Sequence, residues 1–311
     1  MKHFRVAVAC AALVLLCAHD GTCAQSGFAF LEVPAGARAS ALGGAFSSLA
    51  QGVEAAFWNP AGLEGVKGIQ ITGTHVEYVQ SLRHDQFAVA GRSFGGGLAA
   101  SLRALYSEPI EERDELGNLT GSFGAHDFEF ALAYGRSVAP GLSVGGSVQA
   151  LRERIADASA STWAAGFGAV WAPARVGGLR LGLSAHNLGS AARYNLDGGP
   201  GAPVELPAAV QTGASWQRLL PRGAALRTAL EGRFTRGRSG VGMLGVELAT
   251  AGGANGAGSA ALRGGLRVND DASSYSLGAG YSLGGLRLDY AFVPLRLDLG
   301  DTHRMSFTAQ F

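Results

Sequence analysis

Lysine is almost missing from this chain: among 311 residues only Lys2 and Lys67 carry an ammonium group, so the basic side chains are nearly all arginine. Charge is scarce as well. Charged residues make up 16%, where about 25% is usual in a soluble domain. Lys+Arg 25 against Asp+Glu 24 leaves a formal charge of +1. A chain without a net field has nothing to hold nucleic acid or an anionic surface non-specifically, which excludes nucleic-acid binding. Cysteine stops early: Cys10, Cys17 and Cys23 are the whole complement, so disulfide and thiol chemistry are unavailable to the rest of the chain. No apolar run reaches the roughly 20 residues of a membrane helix, because Gly, Ser or a charge interrupts each one. A helical membrane protein is excluded.

Glycine and hydrophobic residues are what is abundant. The 48 glycines are about twice the usual share, and 47% hydrophobic residues exclude disorder. At the start, Lys2 and Arg5 precede the apolar run Val6 to Cys17, and Thr22-Cys23-Ala24 offers a small-x-small cleavage site before Gln25. This is the pattern of a secretory signal peptide over residues 1–24. Lipidation at Cys17 or Cys23 fits less well, since Leu16 is bulky where a small residue is needed and the stretch before Cys23 is polar.

From residue 69 onward the chain alternates with period two. Phe128, Phe130, Leu132 and Tyr134 share one face and Glu129, Ala131, Ala133 and Gly135 the other; Trp163, Ala165, Phe167, Ala169 and Trp171 alternate with Thr162, Ala164, Gly166, Gly168 and Val170. Period two places the sets on opposite sides of a sheet. A water-facing set would favour Thr, Lys and Glu, whereas here the second set is Gly, Ala, Ser and Arg. That composition suits the crowded inside of a barrel whose large apolar side chains face lipid.

The expected fold class is therefore all-β, a transmembrane outer-membrane β-barrel of about 14 antiparallel strands over 69–311. The strands are placed near 69–78, 84–94, 98–106, 127–136, 142–152, 161–171, 179–187, 207–217, 225–235, 240–248, 259–268, 274–281, 286–293 and 302–311. The long polar stretches Ser107–His126 and Leu188–Leu206 then fall outside the cell, and short turns such as Ser282–Gly285 fall in the periplasm, as such barrels require. The Gly-rich connection Ala249–Gly258 is a flexible periplasmic exception. The last strand ends on alternating Phe307 and Phe311, resembling the signal that barrels present to their insertion machinery.

Residues 25–68 do not alternate. Small residues run from Ala35 to Phe46 through Gly43 and Gly44, and Trp58-Asn59-Pro60-Ala61-Gly62-Leu63 follows Glu54-Ala55-Ala56. Short helical turns in a confined space use such residues, so the segment is expected to be an N-terminal plug in the lumen.

The order R-A-S-A-L-G-G-A-F, then E-A-A-F-W-N-P-A-G-L, resembles the N-terminal signature of the PorV/PorQ family, relatives of the FadL-type transporters. Later pieces agree, including His186-Asn187-Leu188-Gly189, Leu244-Gly245-Val246-Glu247 and Leu288-Asp289-Tyr290-Ala291-Phe292-Val293-Pro294. The resemblance implies a fourteen-stranded FadL-like barrel in the bacterial outer membrane. Its function would be non-enzymatic, in protein export or surface assembly of the type IX secretion kind, with secretion-system proteins or cargo as partners beside lipid and lipopolysaccharide. The alternative is a FadL-like channel for hydrophobic small molecules, although the outside loops are shorter than a FadL ligand groove suggests.

Several motifs carry nothing. Gly240 to Gly245 matches G-x-G-x-x-G but no helix follows. Gly141 to Gly145 matches G-x-S-x-G but opens a strand instead of a sharp strand-to-helix turn. His75, His84, His126, His186 and His303 lack metal-ligand spacing. Glu108, Glu111, Glu112, Asp114 and Glu115 read as a solvated acidic loop. A surface hydrolase would need nucleophile, His and acid at one rim, and none converge. No catalytic residue, cofactor or metal is expected. Inward-facing Arg103, Glu129, Arg180, Glu231, Arg233, Arg263, Arg287 and Asp289 are expected to pair with one another or with the plug.

Overall fold

The computed structural model describes residues 27–196, 198–252, 258–296 and 299–311, so the leader expected over 1–24 lies outside the described residues. Fourteen strands form a wall: β1 Ile69–Glu77, β2 Leu82–Ser93, β3 Gly96–Ser107, β4 Ala125–Ala139, β5 Leu142–Ile155, β6 Ala158–Trp171, β7 Leu179–Gly189, β8 Ala209–Leu219, β9 Ala225–Thr235, β10 Val241–Ala249, β11 Ser259–Val268, β12 Tyr275–Leu283, β13 Leu286–Pro294 and β14 Asp301–Gln310. Each pairs antiparallel with its neighbours in sequence, and β14 pairs back onto β1, which closes the sheet and leaves no edge. No helix among the described residues is long and apolar enough to cross a membrane. The strands, 9 to 15 residues long, match or exceed the roughly 9–11 that a tilted crossing needs.

The alternation decides which side is which. On β6 Trp163 is 71% exposed while Ala164 next to it is 6% exposed; on β14 Phe307 is 50% exposed and Arg304 only 2%. Large apolar side chains thus point out, and small or charged ones are buried inside. This is the reverse of a water-soluble sheet, and it gives the outer surface a solvent preference for lipid.

Each expected strand overlaps one wall strand, with local corrections. The eighth starts at Ala209 instead of 207, because Pro207 has no N–H to give a ladder. The two long outer connections are not plain polar loops. One holds a separate hairpin, Ile110–Arg113 with Leu119–Phe123. The other holds Ala192–Leu196 with Gly199–Val204, joined to β6 through Asn195 and Ser159. In the first hairpin the N–H groups of Leu116 and Asn118 donate to Asp114 Oδ1 at 2.9 and 2.8 Å. The side-chain amide of Asn118, then these N–H groups, hold the Asp114 carboxyl below its ordinary range. The turn therefore has its full support above that range and loses it as pH falls through the lowered value. Residues 253–257 of the expected Ala249–Gly258 exception lie outside the described residues.

β7 is bulged. Ala165 faces Leu188 but Phe167 faces Ala185, three steps against two. Asn187 absorbs the extra residue at φ 57, a left-handed conformation that Asn tolerates better than most side chains. His186 and Asn187 consequently both reach the lumen.

Candidate functional site

The chain's own N-terminal segment packs against inward-facing residues of the wall. Short turns at Ala29–Glu32, Ala37–Ala41, Gly52–Glu54, Ala55–Trp58 and Pro60–Gly65 replace long helices, because Gly and Pro interrupt every stretch. Asn59 starts the last turn, accepting from the Ala61 N–H at 3.2 Å with Pro60 as its first residue. The same Asn59 donates through Nδ2 to Ser47 O at 3.0 Å, Ala169 O at 3.2 Å and Leu183 O at 3.3 Å, spanning the segment, β6 and β7.

The motif residues singled out in the sequence come together here. Gly43 O accepts from Arg267 Nε at 2.9 Å and Gly44 O from Gln211 Nε2 at 2.9 Å. Trp58 donates to Ala35 O at 2.9 Å and sets its edge to Phe46 at 5.8 Å. Pro60 and Ala61 press on wall glycines: a Cβ at Gly145 would lie 2.5 Å from Pro60 C and 2.6 Å from Ala61 N. Gly62 packs under Ala50 O, and Leu63 is fully buried with its carbonyl against Gly97. Phe307 and Phe311 are elsewhere, on the outer face, where Phe311 N donates to Ile69 O at 2.9 Å in the seam between β14 and β1.

Charge pairing ties the segment to the wall on its periplasmic side. Glu247 receives Arg38 at 2.9 Å, Arg227 at 2.5 Å and Arg263 at 2.6 Å. Arg287 links Glu54 and Asp289, each at 2.8 Å, and Arg263 also reaches Asp289 at 2.8 Å. Glu231 accepts from the N–H groups of Ser47 and Ser48 at 2.9 and 2.8 Å. Below this network a polar vestibule of about 660 Å³ opens beside Gln51, Glu54, Lys67, Gln70, Arg287 and Gln310.

At the outer end the surroundings turn apolar. Phe28, Phe30 and Leu31 fill a chamber walled by Leu105, Leu151, Ala160, Ala164, Ala192 and Leu206, with Leu82 and Tyr194 at its margin. The Phe28 N–H donates to Glu153 Oε2 at 2.6 Å, and Tyr194 OH to Glu153 Oε1 at 2.5 Å. Burial, then this hydrogen bond, pushes the Tyr194 phenol up.

Of the inward charges expected to pair, Arg103 with Glu129, and Arg263 and Arg287 with Asp289, do so. Arg180 donates to Ser48 O at 2.9 Å. Of the five histidines two face inward: His84 is fully buried beside Gln86, and the bulge carries His186 to Ser184. Among the described residues no three His, Cys, Asp or Glu side chains are gathered as a metal site. Sequence reasoning missed Glu247, Arg38 and Glu54 as the hub. The signal was available for Glu247, which shares the inward phase of Met243 and Gly245 on β10.

No curated protein matches the chain. Among solved structures it is similar to the Ralstonia pickettii toluene transporter TbuX, with 14% identity over 89% of this chain and 98% of that one and a TM-score of 0.57. It is also similar to the P. putida toluene transporter TodX, with 13% identity, 89% and 98% coverage and a TM-score of 0.61. The CymD monoaromatic hydrocarbon channel gives 12% identity, 89% and 97% coverage and a TM-score of 0.60. At such identities the likeness concerns the fold alone, a closed antiparallel barrel of fourteen strands. It does not single out the PorV/PorQ branch. The profile of the uncharacterised protein family UPF0164 matches residues 3–163, and the chain belongs to that family.

Proposed function

We propose that this barrel passes small apolar solutes across the outer membrane without catalysis, the N-terminal segment moving to admit them. The observation that carries this reading is the outer chamber, an apolar space held by the chain's own Phe28, Phe30 and Leu31. A site that accommodates two phenyl rings between Leu and Ala walls offers the same transfer free energy to a free aromatic or aliphatic molecule, about 1.5–3 kcal/mol per side-chain-sized group. The polar vestibule at the other end suits release into water. The fold shared with TodX, TbuX and CymD supports the reading, since all three are channels or transporters of toluene or monoaromatic hydrocarbon. Protein export rests on the PorV/PorQ resemblance alone.

The test is uptake of an apolar dye into proteoliposomes. Phe28→Ala with Phe30→Ala removes the residents but keeps the walls. Losing two buried rings, at about 1.5–3 kcal/mol each, should favour the vacated chamber and raise uptake by at least about a hundredfold if docking of the segment limits it. An assembled double variant with unchanged uptake would count against solute passage.

The outer face works against lipid and lipopolysaccharide, and the C-terminal strand is the part offered to the insertion machinery. Phe311→Ala should leave the N–H to Ile69 in place yet lower the yield of assembled barrel several-fold, read as the heat-modifiable band in outer-membrane fractions. An unaltered yield would remove Phe311 from that role.

A further inference from the structure

Two acids sit in the wall of the outer chamber. Asp127 and Glu153 face each other directly across β4 and β5, and the same row continues to Leu105 on β3 and Ala160 on β6, both of them chamber walls. Each acid is 8% exposed. Among the described residues neither forms an ion pair. Arg103, two residues before Leu105, is committed to Glu129 and to Leu31 O, while His126, Arg152 and Arg154 lie in the exposed phase of β4 and β5. Like charges directly opposite on a sheet repel, and carboxylates withdrawn from water need a counter-charge.

Glu153 has two neutral donors instead, the Phe28 N–H and the Tyr194 hydroxyl. Asp127 has less: its Oδ1 is buried and, among the described residues, accepts no hydrogen bond. The chain's own Phe28 shows what fits beside this pair. Its ring is fully buried among the apolar walls while its N–H meets a carboxylate, and a nitrogen joined to a phenyl ring through two carbons is the skeleton of an arylalkylamine. Phe28 holds that position at φ 58, a left-handed conformation that bulky residues rarely adopt, so the resident is seated under strain.

We propose that the solute class of this chamber is the apolar primary amines, whose ring or chain replaces those of Phe28 and Phe30 and whose ammonium lies between Asp127 and Glu153. This rests on the chamber being a solute site and adds the charge that a hydrocarbon lacks. An ammonium carries three donors, enough to reach both acids while the Tyr194 hydroxyl stays on Glu153. A solute bearing a carboxylate meets repulsion from the same pair.

The probes are phenethylamine, the neutral 2-phenylethanol and the anionic 3-phenylpropionate, titrated calorimetrically at neutral pH into the whole barrel in detergent, carrying Phe28→Ala with Phe30→Ala. Phenethylamine should bind about ten- to a hundredfold more tightly than the alcohol, the range that a hydrogen bond to a charged group supplies, and 3-phenylpropionate more weakly than either. Adding Asp127→Asn removes a like-charge repulsion from the wall, so the barrel should still assemble; amine affinity should fall about tenfold with the alcohol unaffected. Equal affinities for amine and alcohol, or an amine preference undiminished by Asp127→Asn, would overturn the proposal. Should Asp127→Asn fail to assemble, Glu153→Gln decides by the same readout. Dye uptake into proteoliposomes answers separately for the channel: raised uptake in the Phe28→Ala, Phe30→Ala variant without an amine preference sinks this inference and spares solute passage. An amine preference with unaltered dye uptake sinks solute passage and leaves an amine-binding site.

Discussion

Gly145→Val combined with Gly182→Val is expected to displace the N-terminal segment and turn the barrel into an open pore. Neither glycine has a positive φ, and valine is favoured in strands, so the wall itself accepts the change. The obstacle is the segment inside. A Cβ at Gly145 would lie 2.5 Å from Pro60 C, and one at Gly182 would lie 2.7 Å from Ser48 Cα. Both are backbone atoms that cannot swing aside as a flexible side chain would. Overpacking costs about 1–3 kcal/mol at each site, and every 1.4 kcal/mol moves an equilibrium roughly tenfold. The double variant should keep the heat-modifiable band, lose protease protection of residues 28–67, and conduct ions in planar bilayers where wild type is nearly silent. Wild-type conductance in an assembled double variant would mean that the segment is not what closes the lumen.

Glu247→Gln is expected to give the largest loss of stability from one uncharged replacement. The Glu247 carboxylate is shared by Arg38, Arg227 and Arg263, and its side chain is 2% exposed. Replacing it leaves three guanidiniums with one fewer negative charge in a buried space, and breaking a buried pair in this way costs about 3–5 kcal/mol. The urea midpoint of the barrel refolded into lipid vesicles should fall accordingly. Arg227→Gln, on a side chain 26% exposed, should fall much less, because solvent screens what it loses. Adding Arg38→Met to Glu247→Gln should recover part of the loss, since it removes one of the stranded charges. Equal midpoints for wild type and Glu247→Gln would contradict a hub role for Glu247.

How far the molecule was legible depended on whether a local rule applied. The wall strands obey a period of two, and Trp163, Phe167 and Trp171 on one side with Ala164 and Gly166 on the other mark β6 without help from elsewhere. Asn187 shows where the rule stops. Nothing local distinguishes it from a strand residue, and only the offset between Leu188 and Ala185 against β6 creates the bulge that brings it and His186 inside. The outer hairpins were missed for a similar reason: Asp114 organises its turn through Asn118 and Leu116, but short polar strands carry no apolar alternation to betray them. The motif Trp58 to Leu63 was recognisable as a unit, yet its contacts on Gly97, Gly135 and Gly145 lie many residues away along the chain.

The amino-acid order alone determined that this chain is a barrel with an inverted apolar face, because strand periodicity and the depletion of lysine and charge are properties of neighbouring residues. It also marked residues 25–68 as the part that breaks the alternation. How that segment docks on the wall and which Arg meets which Glu were decided only by closure. Bending fourteen strands into a ring sets Arg38 against Glu247 and Phe28 against Glu153 across separations of 209 and 125 residues. No local pattern encodes such distances, because they depend on the register of every strand between.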